Sequence, residues 1–276
     1  MFDPEKIQLS PKELADAVLS KIDIPEEQKG IQLITGTSID ISQVKELDDL
    51  AFGQHHGISE SELQEIMDNG FVILLKDPEG NLIGEAQLIT TQTPDLKYQL
   101  ADNEAYAYGT AIHPEMQGKG LGQITGQAQR LLAKEAGKEV VVLTVRAENV
   151  ASLKSRFKQG FQITNFDPEY YGKIEDGGSR VIMKGNVDQD QTSEEELLKL
   201  VKSNSIPTFS GQNFNEDLLA IPVTFGNKVD MPANQQIDAL IKAGYRGVWV
   251  FKNGEISEDE DNNRGLFIFK KEQKNK

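Results

Sequence analysis

Apolar residues in this chain recur in two rhythms. Near the amino terminus Leu14, Ala17, Val18 and Leu19 share one helical face behind Ser10-Pro11, a cap and a first-turn proline, which predicts a helix over 10–21. Residues 25–30 read as a linker to a short strand at 31–35. Helical spacing returns at 42–50, where Val44, Leu47 and Asp48 bracket the apolar stripe. It returns again at 59–68, where Ser59 and Glu62 are spaced as a capping box and Asn69-Gly70 supplies the stop. Phe52-Gly53-Gln54-His55-His56-Gly57 interrupts the two helices. Strands at 71–76 and 82–90 flank Asp77-Pro78-Glu79-Gly80-Asn81, a hairpin loop.

After a polar connection at 91–102 the period becomes two. Glu104, Tyr106, Tyr108 and Thr110 fall on one face of a strand, and Ala105, Ala107, Gly109 and Ala111 on the other. The small face permits close packing. The polar face suits either the lining of a cleft or a half-buried strand. A helix at 121–136 ends at Gly137, and 140–145 is a nearly continuous apolar run, as in a buried central strand. A helix at 151–159 closes at Gly160 before a strand at 161–164, and a loop at 167–172 precedes a strand at 179–184.

The chemistry of the chain is concentrated between the strand ending near Ile112 and the helix that follows. There Gln117-Gly118-Lys119-Gly120-Leu121-Gly122 forms a glycine-rich turn after His113-Pro114. The first amides of a helix lack partners and sit at the positive end of its dipole, and glycines admit a phosphate without a Cβ in the way. A Walker A loop needs Ser or Thr after its Lys, but Gly120 follows Lys119. The spacing of Gly118, Gly120 and Gly122 does not fit the dinucleotide fingerprint either. An ordinary glycine turn would look the same in isolation.

Gln117, Gly120 and Gly122 fill the three defining positions of Q/R-x-x-G-x-G/A. The stretch resembles the acetyl-CoA pyrophosphate loop of the GNAT N-acetyltransferases. Asn149, the helix after it and Gly160-Phe161 resemble the second signature of that family. The resemblance covers about 31–185 and implies an α+β (α/β) GNAT fold, a mixed and mostly antiparallel sheet flanked by helices. It also implies acetyl-CoA as co-substrate, no metal, and direct acetyl transfer to a primary amine. By it, Gln117, Gly118, Lys119, Gly120, Leu121 and Gly122 hold the pyrophosphate, a backbone amide near Ile112 polarises the thioester carbonyl, and Asn149 contacts the pantetheine arm. One departure is plain. The family often places a Tyr, the general acid for the leaving thiolate, where this chain has Arg156, which leaves Arg156 as a cofactor contact or a solvated helix residue. The loop with Tyr170 and Tyr171 resembles that of bacterial ribosomal-protein alanine N-acetyltransferases, so Tyr171, before Tyr170, takes the acid's place. The base is sought among Glu104, Tyr106 and Tyr108, of which Glu104 alone is a carboxylate; Glu104, Tyr108 and Tyr171 are the catalytic candidates. His55-His56 are adjacent and therefore diverge, and only His113 is added to them, so no metal site is expected.

Residues beyond the resemblance alternate helix and strand: a linker at 187–193, a helix capped by Ser193 and Glu196, a strand at 218–225, a helix at 234–243, and strands at 248–251 and 266–269 around an acidic loop. Lys242-Ala243-Gly244-Tyr245 echoes Lys158-Gln159-Gly160-Phe161, as a half-repeat or as any helix stopped by glycine before a strand. The expected organisation is a helical arm at 1–30, an acetyltransferase domain at 31–186 and a small α+β domain at 187–276, the last a dimerisation element or a substrate lid. The 276 residues carry a net charge of −15 and no cysteine. That excludes thiolate chemistry, argues against nucleic acid and anionic membranes, and fits a cytoplasmic protein. An acidic surface would steer a cationic amine, or simply keep the chain in solution. The alternative to an enzyme is a non-catalytic acyl-CoA-binding or interaction module of the same fold, for which Arg156 is the best argument.

Overall fold

A computed structural model describes residues 10–53, 57–188, 193–226, 228–257 and 261–272. His55 and His56, the middle of the 187–193 link and the end of the basic tail lie outside these residues. By contact the chain forms two compact units, Met1–Val141 and Val142–Lys276.

The first unit begins with α1 (Pro11–Leu19), where the Ser10 hydroxyl accepts the Glu13 amide and Glu13 accepts the Ser10 amide, a reciprocal cap. Asp16 of α1 accepts the Thr35 amide at 2.7 Å, fastening the helix to β1 (Gln32–Thr35). Helices α2 (Ile41–Phe52) and α3 (Glu60–Asn69) follow, and the Ser59–Glu62 capping box forms. Strands β2 (Gly70–Lys76), β3 (Leu82–Ile89) and β4 (Glu104–Ile112) join β1 in the order β1-β2-β3-β4, each pair antiparallel. Gly70 must be glycine, because a Cβ there would collide with the Leu88 carbonyl of β3. The core is apolar and close-packed: Leu63, Ile73, Leu74, Leu75, Ala86, Leu88 and Ala105 are fully buried beside Ala128 and Leu132 of α4 (Leu121–Glu135).

The strict alternation expected of β4 does not hold. Glu85 stands opposite Ala111 and Ala86 opposite Thr110, yet Leu88 is opposite Ala107 and Ile89 opposite Tyr106. β4 thus carries one residue more than β3 across this span, a bulge at Tyr108-Gly109. Parity flips across it. Tyr106 shares a face with Ile89, Glu85 and Ala111, while Thr110 turns to the face of Ala86 and Ala107.

The second unit contains β5 (Val140–Val145), α5 (Val150–Lys158), β6 (Gln162–Asp167), β7 (Arg180–Asn186), α6 (Glu194–Lys202), β8 (Leu218–Thr224), α7 (Met231–Lys242), β9 (Tyr245–Lys252), the single turn α8 (Asn253–Ile256) and β10 (Arg264–Lys271). The strand order is β5-β7-β6-β9-β10-β8. The segment after 186 therefore joins the sheet of the segment before it, β9 pairing antiparallel with β6 at Ile163 and Gly247. Gly247 makes room for the partner: a Cβ there would lie 2.8 Å from Ile163 Cδ1. β8 closes the edge and carries an exposed Pro222, which has no N–H to offer a further strand. Trp249, Phe157, Phe251, Tyr245, Phe267 and Phe269 are buried in the core, with Phe157 and Trp249 6.0 Å apart between ring centroids.

Three local expectations change. Ser193 makes no side-chain cap on α6. α7 begins at Met231 rather than 234, because Asp230 accepts the Ala233 amide and Pro232 occupies the first turn. The connection between β9 and β10 opens with α8, whose Glu255 accepts the Lys252 amide. No helix among the described residues is long and apolar enough to cross a membrane. Trp249→Ala should cost about 3–5 kcal/mol in urea unfolding, since it empties the contact between α5 and β9. A loss below about 1 kcal/mol would refute that assignment of the core.

Candidate active site

In the first unit the candidate loop leaves β4 through a single turn at Pro114–Met116. The Gln117 side chain donates to the Ile112 carbonyl at 3.2 Å, and the Lys119 ammonium rests 3.3 Å from Met116 Sδ. Gly118 and Gly120 have φ of +76° and +81°, and Gly120 is the cap of α4, so L side chains there would be strained. A Cβ at Gly118 would meet nothing within 4 Å. The amides of Gly118, Lys119 and Gly120 donate to no group among the described residues. Consecutive free amides in left-handed turns at a helix start form a concavity suited to an anion. The amino-terminal arm adds a residue that no sequence signal marked: Gln28 donates its side-chain amide to the Lys119 carbonyl, and its own side-chain oxygen is buried without a partner.

The bulge in β4 decides which polar groups meet. The Tyr108 hydroxyl donates to Glu62 Oε1 of α3 at 3.3 Å. Burial tends to raise the Glu62 carboxyl, but the hydroxyl and amide of Ser59 together with Tyr108 hold it below the usual carboxylate range. Glu104, at the opposite end of β4 from Ile112, is buried and accepts from the Tyr98 hydroxyl at 3.1 Å and the Ala101 amide at 3.2 Å. Its environment closes the preceding turn, and Tyr98 stacks on Tyr106 with centroids 5.8 Å apart.

Glu85 is the group that reading the sequence overlooked. It is fully buried; one carboxyl oxygen accepts from Gln87 Nε2 at 2.8 Å and the other has no partner. Burial first, and the nearby Asp48 charge second, push its pKa up to about 8. Asp48 of α2 is also raised, by burial against the donated amide of Ile58 at 2.5 Å. A lone acid among Leu82-Ile83-Gly84-Glu85-Ala86-Gln87-Leu88-Ile89 was a legible signal. Gln87 in turn fills the space that a side chain at Gly109 would need.

In the second unit Asn149 caps α5, its side-chain oxygen accepting the Ser152 amide at 3.2 Å. Arg156 is not a solvated helix residue. It is buried, donates to Gln159 Oε1 at 3.3 Å and lies 5.7 Å from the centre of the Phe161 ring, and burial lowers its pKa to about 10. Tyr170 is buried, whereas Tyr171 is half exposed and packs edge-on against it at 4.7 Å. The Arg180 guanidinium lies 4.7 Å over the Tyr171 ring and donates to the carbonyls of Gly177 and Ser179. Among the described residues no three His, Asp or Glu stand close enough to hold a metal ion.

The Glu85 shift has a stability consequence. An acid whose folded pKa lies above its unfolded value stabilises fully below the unfolded value, near 4.5, and loses that contribution as pH rises through about 8. Wild-type unfolding free energy should therefore decline over that window by a few kcal/mol more than that of Glu85→Gln. Parallel curves for the two proteins, measured by urea unfolding across pH, would refute a protonated Glu85.

Residues 41–161 match the family model described as Acetyltransferase (GNAT) family. No curated protein matches. Solved structures match over part of the chain. Ard1 from Thermoplasma volcanium is 18% identical, with 58% of this chain and 99% of that one covered at a TM-score of 0.48. The ribosomal-protein-S18-alanine N-acetyltransferase from Escherichia coli is 18% identical, with 59% and 97% covered and a TM-score of 0.47. yncA from Salmonella typhimurium, determined with its cofactor acetyl-CoA, is 17% identical, with 60% and 99% covered and a TM-score of 0.46. The matched residues run from the start of α2 through the glycine loop to the glycine-phenylalanine stop after α5, and over that segment the chain is similar to the acetyltransferase (GNAT) family.

Proposed function

We propose that the protein transfers acetyl from acetyl-CoA to a primary amine, of a small molecule or a peptide, by direct attack. Acetyl-CoA is the co-substrate of the family and supplies an acyl group activated as a thioester. The observation that carries the reading is the run of three free amides at Gly118, Lys119 and Gly120, two of them on left-handed glycines, just before α4. These amides, with Gln117, Leu121 and Gly122, are assigned to the pyrophosphate. Asn149 and Arg156 are assigned to the rest of the cofactor, and the Ile112 amide to the acyl oxygen.

The chain must also handle protons. An attacking amine has to be neutral, so its proton needs a route out. Glu62, held ionised, attracts the ammonium form and orients the Tyr108 hydroxyl toward it. Glu104 is committed to Tyr98 and Ala101, which supports Tyr108 over Glu104 for the proton route. Tyr171, the exposed phenol under Arg180, holds the proton that the departing sulfur needs. A cytoplasmic placement goes with this reading.

Calorimetric titration should show acetyl-CoA binding to the wild type and none to Gly120→Glu, whose side chain fills the concavity with negative charge. No binding to the wild type would leave only the non-catalytic reading of the fold. Tyr171→Phe should lower kcat about 100-fold with little change in the KM for acetyl-CoA. An unchanged kcat would move the acid elsewhere.

A further inference from the structure

The second unit holds a cavity of about 430 Å³ between the exit of β5, the turn before β7 and the approach to α7. The volume is that of a small-molecule site. Its walls carry two cations, Arg146 and Lys228, two acids, Glu175 and Asp176, and the apolar side chains of Val229 and Met231. Among the described residues Glu175, Asp176 and Lys228 make no side-chain hydrogen bond or ion pair, although all three face one space. Asp176 and Lys228 are exposed to solvent at this open site, so both charges are accessible to a ligand that carries the two opposite charges.

The walls are anchored from behind. Glu148 is buried, and its carboxylate accepts the Asp230 amide at 3.1 Å and Asn234 Nδ2 at 2.8 Å, while its carbonyl accepts the Gly226 amide at 3.2 Å. Both ends of the loop that bears Lys228 are thereby tied to the exit of β5. The second Glu148 oxygen stands 3.6 Å from Arg146 Nε and holds that side chain at the cavity. Gly177 takes the left-handed φ of +77° that the acidic turn needs, and the Arg146 guanidinium lies against it.

We infer that this cavity binds a zwitterionic amine of the α-amino acid class. Its ammonium lies at Glu175 and Asp176, its carboxylate between Arg146 and Lys228, and its side chain against Val229 and Met231. The part of this inference that makes the ligand an acetyl acceptor rests on the reading of the protein as an amine acetyltransferase. The same turn before β7 follows Tyr171, the proposed acid, so the segment after 186 serves to complete an acceptor pocket. The same chemistry would serve a bound effector, and the experiment separates the two.

Initial rates of thiol release from acetyl-CoA should be measured on the full chain with the free proteinogenic α-amino acids and with the matching amino-acid amides, which lack the carboxylate. Ligand-observed NMR with the same compounds should run in parallel. At least one free amino acid should bind about 10-fold more tightly than its amide, and Lys228→Ala should collapse that preference while calorimetry shows acetyl-CoA affinity retained. Asp176→Asn should weaken the acid and the amide alike. Turnover of the preferred compound makes it the acceptor; binding without turnover makes it an effector at the same site. Equal binding of acids and amides, a preference that survives Lys228→Ala, or no amino acid bound by a protein that still binds acetyl-CoA would overturn the assignment and leave the acetyltransferase reading standing. Absence of acetyl-CoA binding would instead overturn that reading.

Discussion

One extra residue in β4, opposite Gln87, governs the geometry of the first unit. A regular strand would put Glu104, Tyr106, Tyr108 and Thr110 on one face. The bulge turns Thr110 away and leaves Tyr106 facing the same side as Glu85, with Tyr108 close enough to α3 to reach Glu62. Gly109 is small because the Gln87 side chain takes its space, and Gly84 is small because Ile112 Cδ1 does. The strand that feeds the glycine loop is thus shaped by contacts with β3, and the loop's free amides follow one turn after that strand ends.

Carboxylates in this acidic chain fall into two classes by their donors. Asp16 and Glu62 are partly buried but receive several hydrogen bonds, and both are held below their ordinary range. Glu85 and Asp48 are buried with too few donors, and both are raised. Desolvation acts on all four; the number of N–H and O–H groups aimed at each decides the sign. The first class remains charged and can attract an amine. Glu85 keeps its proton near neutrality, and its effect is on the shape of β3 and β4 through Gln87.

In the second unit a similar local solution appears twice. α5 and α7 each end before a left-handed glycine, Gly160 at +82° and Gly244 at +85°, and each glycine precedes a fully buried aromatic, Phe161 or Tyr245, that leads into a strand. The glycine releases the chain from the helix without Cβ strain, and the aromatic sinks into the core at once. β9 then pairs with β6, so the segment after 186 extends the sheet instead of standing apart from it.

The sequence alone determined what depends on local spacing. The capping pairs Ser10–Glu13 and Ser59–Glu62, the helix and strand periods and the glycine turn all involve residues within a few positions of each other, and so does the family signature at Gln117, Gly120 and Gly122. Tertiary structure decided what depends on partners far along the chain. The bulge arises from register with β3, the raised Glu85 from its burial in the sheet and then from Asp48 on α2, and the burial of Arg156 from the packing around α5. Glu148 likewise gains its meaning only from Asp230 and Asn234, more than eighty positions away, which fold back to it and anchor the loop that bears Lys228. Hydrophobic period carries no information about which charges will share an interior, because desolvation and Coulomb terms depend on distances set by the whole fold.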